Sequence, residues 1–309
     1  MYLYFAGSRN KIFDDELQRL KANRLLSNFS DRSAIYEWID FFDKNPDYPG
    51  KFFVDSGAYS TFHQGKPLDV DDYIRFINEI GDYVEVFAQM DCIIAPNASV
   101  DEYRKGEEKT WQNYLYMCEK LKPQYVDKLI PLYHAGENID RFYNLLEYKH
   151  SDGHHIKYIG LGAPQRAYAH IRSKYYKDWF KIIESSSNSN VCTHAFGCTD
   201  LSVLPRYPFT SADSASWIRS SAAGNILVND KWISLSSRCS DISARFDYRN
   251  TAFKDYIHEY VKQRGYTVEQ LQTDPHAIYI YNIRYLKDWE DSYVCTYKKD
   301  AVFHQVSLF

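Results

Sequence analysis

Short runs of β-branched and aromatic residues alternate with longer stretches of helical period along most of this chain. That rhythm restricts it to folds with a parallel sheet, because parallel neighbours must be joined by a crossover. Seven runs read as strands: Tyr2 to Ala6, Phe52 to Asp55, Val84 to Met90, Leu129 to Tyr133, Tyr158 to Leu161, Val191 to Ala195 and Phe209 to Ala212. Between them, Asp71 to Ile80, Val100 to Leu121 and Ile139 to Tyr148 read as helices, and Ser99 with Glu102 forms a capping-box pattern at the start of the second. An eighth strand is harder to find, since Ile226 to Leu235, with Asn229-Asp230 at its middle, reads as a hairpin as readily as a barrel strand. A chain of 309 residues can hold eight βα units in one piece, so the expected fold is α/β, a (β/α)8 barrel of TIM type, regular or irregular. After about Ser236 the alternation gives way to helical segments, Thr251 to Arg264 and Ala277 to Tyr285. The expected organisation is therefore a barrel over residues 1–235 with a helical appendage over 236–309 packed on it, one domain overall.

Composition narrows the function classes. No apolar run approaches the roughly 20 residues that span a bilayer. Met1 to Ala6 runs straight into an apolar segment without a charged leader or cleavage site, so a cytoplasmic protein is expected, in the host cytoplasm if the chain is viral. The cysteines (Cys92, Cys118, Cys192, Cys198, Cys239 and Cys295) show no CxxC spacing, which predicts reduced thiols, no disulfide framework and no metal site. A net charge of -4 argues against a protein that coats nucleic acid, although a local basic rim is compatible with it. The 28 tyrosines and 18 phenylalanines fill core and surface, and some can stack on bases.

Several strands end in polar or glycine-rich clusters: Asp55-Ser56-Gly57-Ala58-Tyr59, Asp91-Cys92, His134-Ala135-Gly136-Glu137, Gly160-Leu161-Gly162 and Asp213-Ser214-Ala215-Ser216-Trp217. In a βα barrel the C-terminal strand ends share one face, so these clusters are expected to meet in space. Carboxylates are costly to bury without a use or a partner, and two with separated pKa values equip a site for chemistry at a glycosidic carbon. Any one of the three aspartates can equally cap a helix or close a turn, and His134 or His194 alone reads as a structural histidine. It is the coincidence of three carboxylates that favours chemistry.

These residues resemble a family. The stretch Phe53-Val-Asp55-Ser-Gly-Ala-Tyr59-Ser, the strand end Gln89-Met-Asp91 and the turns Tyr133-His-Ala-Gly136, Gly160-Leu161 and His194-Ala-Phe196-Gly197 precede Ser211-Ala-Asp213-Ser-Ala-Ser-Trp217. In that order, over roughly residues 50 to 220, they are similar to the tRNA-guanine transglycosylases, and more narrowly to their DNA-modifying, DpdA-like branch of bacteria and phages. The resemblance implies that Asp213 is the nucleophile that attacks C1′ and forms a covalent glycosyl-enzyme. It implies that Asp55 is the general acid/base and that Asp91 reads the N–H donors of a guanine-like edge. Ser56 falls in the same base-binding segment, and Tyr59 and Phe196 correspond to the side chains that sandwich the base. His134 takes a position that contacts the base carbonyl, with a backbone N–H of the Gly160-Leu161 region offered to the same oxygen.

Two departures from the family pattern refine this expectation. The zinc site of the tRNA-acting members, CxCxxC plus His, has no counterpart after Asp213, where only Cys239 and Cys295 occur, so no cofactor is expected and DNA is favoured over tRNA. The carboxylate that partners a cationic aminomethyl substituent is also missing, since Gly162-Ala163-Pro164 follows the Gly-Leu turn; a neutral substituent such as the nitrile of preQ0 is expected. The implied partners are DNA, or alternatively tRNA, and a small 7-deazaguanine base. Other readings are an N-glycosylase or glycosidase, in which water resolves the intermediate, and a non-catalytic nucleic-acid-binding barrel. Arg166, Arg172, Lys174, Arg206, Arg219, Arg238, Arg245 and Arg249 could meet phosphates, but none is assigned a site role over an ordinary solvated surface.

Overall fold

The computed structural model describes residues 1–7, 10–27, 32–58, 62, 68–94, 98–164, 168–235 and 251–297. Strands β1 (Tyr2–Ala6), β2 (Asn23–Ser27), β3 (Phe52–Asp55), β4 (Val86–Ala88), β5 (Leu129–Ile130), β6 (Leu132–His134), β7 (Tyr158–Gly162), β8 (Cys192–Ala195) and β9 (Ser211–Ser214) form one parallel sheet in the order β5-β4-β3-β2-β1-β9-β8-β7-β6. β5 and β6 are one run of chain divided at Pro131, which has no N–H to give to a ladder. The first half pairs with β4 and the second with β7, so the two ends of the order meet at Pro131 and the sheet closes into a ring of eight strand positions. The fold is thus the TIM-type α/β barrel that the alternation predicts.

Crossover helices are α1 (Lys11–Arg19), α2 (Arg32–Lys44), α3 (Val70–Ile80), α4 (Val100–Lys120), the short α5 (Pro123–Val126), α6 (Ile139–Glu147) and α7 (Ala169–Ser185). Their starts follow local chemistry. Asp69 accepts the Asp71 and Asp72 amides ahead of α3, Ser99 and Glu102 complete a reciprocal capping box ahead of α4, and Asn138 caps α6. One face of each helix is apolar; in α3 it is Tyr73, Ile74, Phe76, Ile77 and Ile80.

Side-chain alternation along the strands divides the core into two layers. Leu3, Phe5, Phe52, Val54, Phe87, Tyr133, Ile159, Leu161, Ala195 and Ala212 face the helices. Tyr4, Ala6, Leu25, Phe53, Val86, Ala88, Ile130 and Leu132 fill the inside of the ring. Asp55 and His134, two positions beyond the inward-facing Phe53 and Leu132, therefore project inward at the C-terminal mouth.

The strand that sequence reading leaves out is β2. Its sequence, Asn-Arg-Leu-Leu-Ser, lacks β-branched and aromatic residues. The buried Arg24 is held by an ion pair to Asp14 of α1 at 3.3 Å. The Ile226 to Leu235 stretch, in turn, is not a barrel strand. It forms an antiparallel hairpin, β10 (Asn225–Val228) and β11 (Lys231–Ser234), whose central Asn229 and Asp230 both have positive φ (47° and 62°), as a tight primed turn requires.

After β9 come α8 (Ser216–Ala222), the hairpin, and helices α9 (Thr251–Gln263), α10 (Val268–Thr273) and α11 (Ala277–Asp291). In α11 the buried Asn282 accepts from the Leu227 amide at 3.0 Å and donates to Ser221 Oγ and the Asn225 carbonyl, fixing the hairpin against α8. Further along α11, Glu290 accepts from the Leu3 amide and from Asn23 Nδ2, both at 2.7 Å, and so ties this helix to β1 and β2. No helix among the described residues is long and apolar enough to cross a membrane.

Candidate active site at the barrel mouth

Asp55 ends β3, two residues beyond the inward-facing Phe53. Burial, then the negative charge of Asp213, push its carboxyl up to about 6, and Asp91 adds to the rise. The amides of Gly57 and Ser56 donate back to the carboxylate and pull the other way without prevailing. Ser56 itself is buried, and its Oγ accepts from the Ala58 amide at 3.4 Å. Such a carboxyl changes protonation state near neutral pH, which is what proton transfer at a reacting group needs.

Asp213 lies on β9, beside Tyr4 of β1 in the ladder and two residues beyond Ser211. Its Oδ1 accepts from the Gly197 amide at 2.8 Å and faces His194 Nε2 at 3.1 Å. Its Oδ2 takes no hydrogen bond from any described residue. One oxygen is thus anchored and the other left for a ligand. The turn that follows is held by Trp217, fully buried, whose Nε1 donates to the Ala6 carbonyl at 2.9 Å.

Asp91 follows β4. Its Oδ1 accepts from Thr110 Oγ1 of α4 at 2.9 Å, and its Oδ2 is 2.8 Å from His134 Nε2 at the end of β6. Burial pulls this carboxyl toward its neutral form, but His134, Thr110 and the nearby guanidinium of Arg141 outweigh it and hold it below the usual carboxylate range. The two acidic groups are therefore driven apart, Asp55 upward and Asp91 downward.

Two glycines of β7 make the room. At Gly160 a Cβ would lie 2.3 Å from the Phe196 ring, and at Gly162 one would lie 2.2 Å from His134 Nδ1. The ring of Phe196 stands edge-on to His194 and Phe53, with centroids 4.4 and 5.8 Å away. Gly160 thus serves the site through its missing side chain. Its amide is already donated to the Pro131 carbonyl at 2.8 Å, so an N–H offered by the Gly160-Leu161 region, as the resemblance implies, is not that of Gly160. Leu161 is buried in the layer beneath the helices and points away from the mouth.

The structure brings Asp55, Asp91, Asp213, His134 and Phe196 to the same end of the barrel, with Ser56 and Gly160 beside them. Tyr59 lies outside the described residues, as do Arg166, Arg238, Arg245 and Arg249. Arg172 is engaged with Asp200 at 3.8 Å. Three contributors were not singled out from sequence: Thr110, Arg141 and Ser211. Ser211 could have been found by stepping back two residues from Asp213 along the same face of the strand. Thr110 and Arg141 sit within helices and carry no local signal.

No group of three or more His, Cys, Asp or Glu side chains suited to a metal ion occurs among the described residues. The whole is a carboxylate cluster at the C-terminal mouth of a parallel barrel, the face on which enzymes of this architecture carry their chemistry. No protein-family model matches the chain, and no curated protein matches it either.

Proposed function

We propose that this chain is a DNA guanine transglycosylase that exchanges guanine for a 7-deazaguanine base of the preQ0 kind through a covalent aspartyl-glycosyl intermediate. The observation that carries the reading is the pairing of Asp213, whose Oδ2 takes no hydrogen bond from the described residues, and Asp55, held near 6 by burial and by Asp213 itself. In the first half-reaction Asp213 Oδ2 bonds to C1′ as the C1′–N9 bond breaks, and Asp55 supplies the proton that the departing guanine needs. In the second, the N9–H of the incoming base gives its proton to Asp55, N9 attacks C1′, and Asp213 is released. The Asp91–His134 pair suits the base edge, since two acceptor oxygens beside an imidazole complement the N–H donors and carbonyl oxygen of guanine. The half-buried Phe196 offers a ring against which an extruded base can pack, offsetting part of the few kcal/mol that extrusion from a duplex costs.

DNA is preferred to tRNA because the sequence after Asp213 provides only Cys239 and Cys295, too few thiols for the zinc site of the tRNA-acting family. The reading is tested by offering labelled preQ0 with duplex DNA and, separately, with tRNA, then analysing nucleosides by mass spectrometry. Label in deoxyguanosine analogues is expected. Incorporation into tRNA alone reassigns the polymer, and abasic sites without uptake of label replace exchange with hydrolysis.

A further inference from the structure

We propose that a hydrogen-bond chain running inward from the half-buried Tyr158, Tyr158–Ser211–His194, fixes His194 as its Nε2–H tautomer and makes it a positioning residue that anchors Oδ1 of Asp213, leaving Oδ2 as the reacting oxygen. The role of Oδ2 rests on the base-exchange reading; the tautomer does not.

The direction of the chain follows from counting donors and acceptors. His194 and Ser211 are both fully buried inside the barrel. His194 Nε2 faces Asp213 Oδ1 at 3.1 Å, and a carboxylate oxygen can only accept, so the proton is on Nε2. His194 Nδ1 is 2.6 Å from Ser211 Oγ, which is also in contact with the Tyr158 hydroxyl. Among the described residues Ser211 Oγ has no other partner, so its single proton goes either to His194 Nδ1 or to the Tyr158 oxygen. Burial keeps the Tyr158 phenol protonated, and Ser211 Oγ is the acceptor its proton has.

Only one arrangement uses every donor once. Tyr158 donates to Ser211, Ser211 donates to Nδ1, and Nε2–H donates to Asp213. A doubly protonated imidazole would aim Nδ1–H and the Tyr158 proton at the same serine oxygen and strand the serine's own proton in a sealed interior, at the cost of an unmet buried donor. Elsewhere the ring meets apolar and aromatic surface: Tyr4 of β1 at 6.1 Å, Phe53 of β3 at 4.8 Å and Phe196 at 4.4 Å between centroids. The titratable groups facing it are therefore Asp213, Tyr158 and Tyr4.

With Gly197 and His194 both donating to Oδ1, the carboxylate cannot rotate without breaking two hydrogen bonds. When the ester forms on Oδ2, Oδ1 becomes its carbonyl oxygen and keeps both donors. His194 passes no proton, so it differs in kind from Asp55.

The test uses the full chain labelled with 15N-histidine. Long-range 1H–15N spectra identify His194 as the ring whose cross-peaks vanish in His194→Gln. One protonated Nε2 and one unprotonated, hydrogen-bonded Nδ1 are expected, with the Nδ1 resonance displaced in Ser211→Ala. A protonated Nδ1 at this ring in the unmodified protein overturns the proposal, whether or not bases are exchanged. In single-turnover exchange, His194→Ala is expected to slow glycosyl-enzyme formation about 10- to 100-fold with little change in apparent base affinity, and His194→Gln, which retains a side-chain N–H, to recover part of that loss. Equal rates in all three proteins remove the positioning role. The expected tautomer in a protein that takes up no labelled base leaves the chain standing and sinks the exchange reading instead.

Discussion

The imidazole of His134 occupies the space that a side chain at residue 162 would need, a Cβ on Gly162 falling 2.2 Å from its Nδ1. His134 is also the partner of Asp91 Oδ2, so the glycine decides where the Asp91–His134 pair stands. Gly162→Ala is expected to push the ring off Asp91 while leaving the barrel folded. Loss of one hydrogen bond to a charged group corresponds to about 10- to 100-fold weaker binding of guanine by titration calorimetry. An unchanged dissociation constant, with an unchanged melting temperature, separates His134 from base recognition.

Asp213→Asn preserves shape and keeps an Oδ1 that can accept from Gly197 and His194, but it replaces the free oxygen with an amide. Thermal unfolding is expected to stay native-like. On the base-exchange reading, exchange should fall by roughly 10,000-fold, the scale of a lost nucleophile, and the DNA–protein adduct expected on denaturing gels with the unmodified protein should be absent. An adduct that survives in this variant assigns the covalent step to another side chain.

Asp55 makes stability depend on pH and, on the base-exchange reading, activity as well. Its folded value of about 6 stands above the ordinary 3.8, so between these values the folded state binds more protons than the unfolded one. Stability contributed by this residue is thus greatest in acid and declines as pH rises from about 4 to about 6. Asp55→Asn is expected to be more stable than the parent at pH 7.5, by up to about 3 kcal/mol in urea unfolding, with the gain gone near pH 4. On the base-exchange reading, the single-turnover rate of base release should fall as pH rises above about 6, because the proposed proton donor is then ionised. A variant with no neutral-pH gain would mean that Asp55 is not under the strain of its neighbours.

How much of this was legible beforehand depended on whether a residue's role was local. The ends of β3, β4, β6 and β9 announced themselves because polar residues interrupt apolar runs there, and alternation in a parallel barrel carries such ends to one mouth. β2 was missed because its outer face holds Arg24, whose burial makes sense only beside Asp14 of the preceding helix and the Phe5 carbonyl of β1. The same holds at the site. That Gly160 spends its amide on Pro131 could not be read from the Gly-Leu pattern, because it depends on the register between β6 and β7. The link from His194 to Ser211 likewise depends on the pairing of β8 with β9. Such relations are set by which strands become neighbours, which no window along the chain contains.

At the opposite end of the ring, Glu290 joins the C-terminal helix to the first two strands. Its Oε1 accepts from the Leu3 amide and Asn23 Nδ2, and its Oε2 meets Lys287 Nζ at 3.0 Å. Asn23 is engaged on its other side too, its Oδ1 accepting from the Lys51 amide at 2.9 Å, so one carboxylate organises the starts of β1, β2 and β3. Glu290→Ala leaves the buried Leu3 amide without its acceptor and the Asn23 carboxamide with only its longer bond, 3.3 Å, to the Leu3 carbonyl. The expected cost is about 2 to 4 kcal/mol, read as a lower urea midpoint, while Glu290→Gln, which keeps one acceptor oxygen, is expected to lose less. By the same logic a chain ending at residue 235 should fail to give a soluble, cooperatively unfolding barrel. If that truncation melts cooperatively, the C-terminal helices are an accessory to a self-sufficient ring and the Glu290 contacts contribute little to holding it shut.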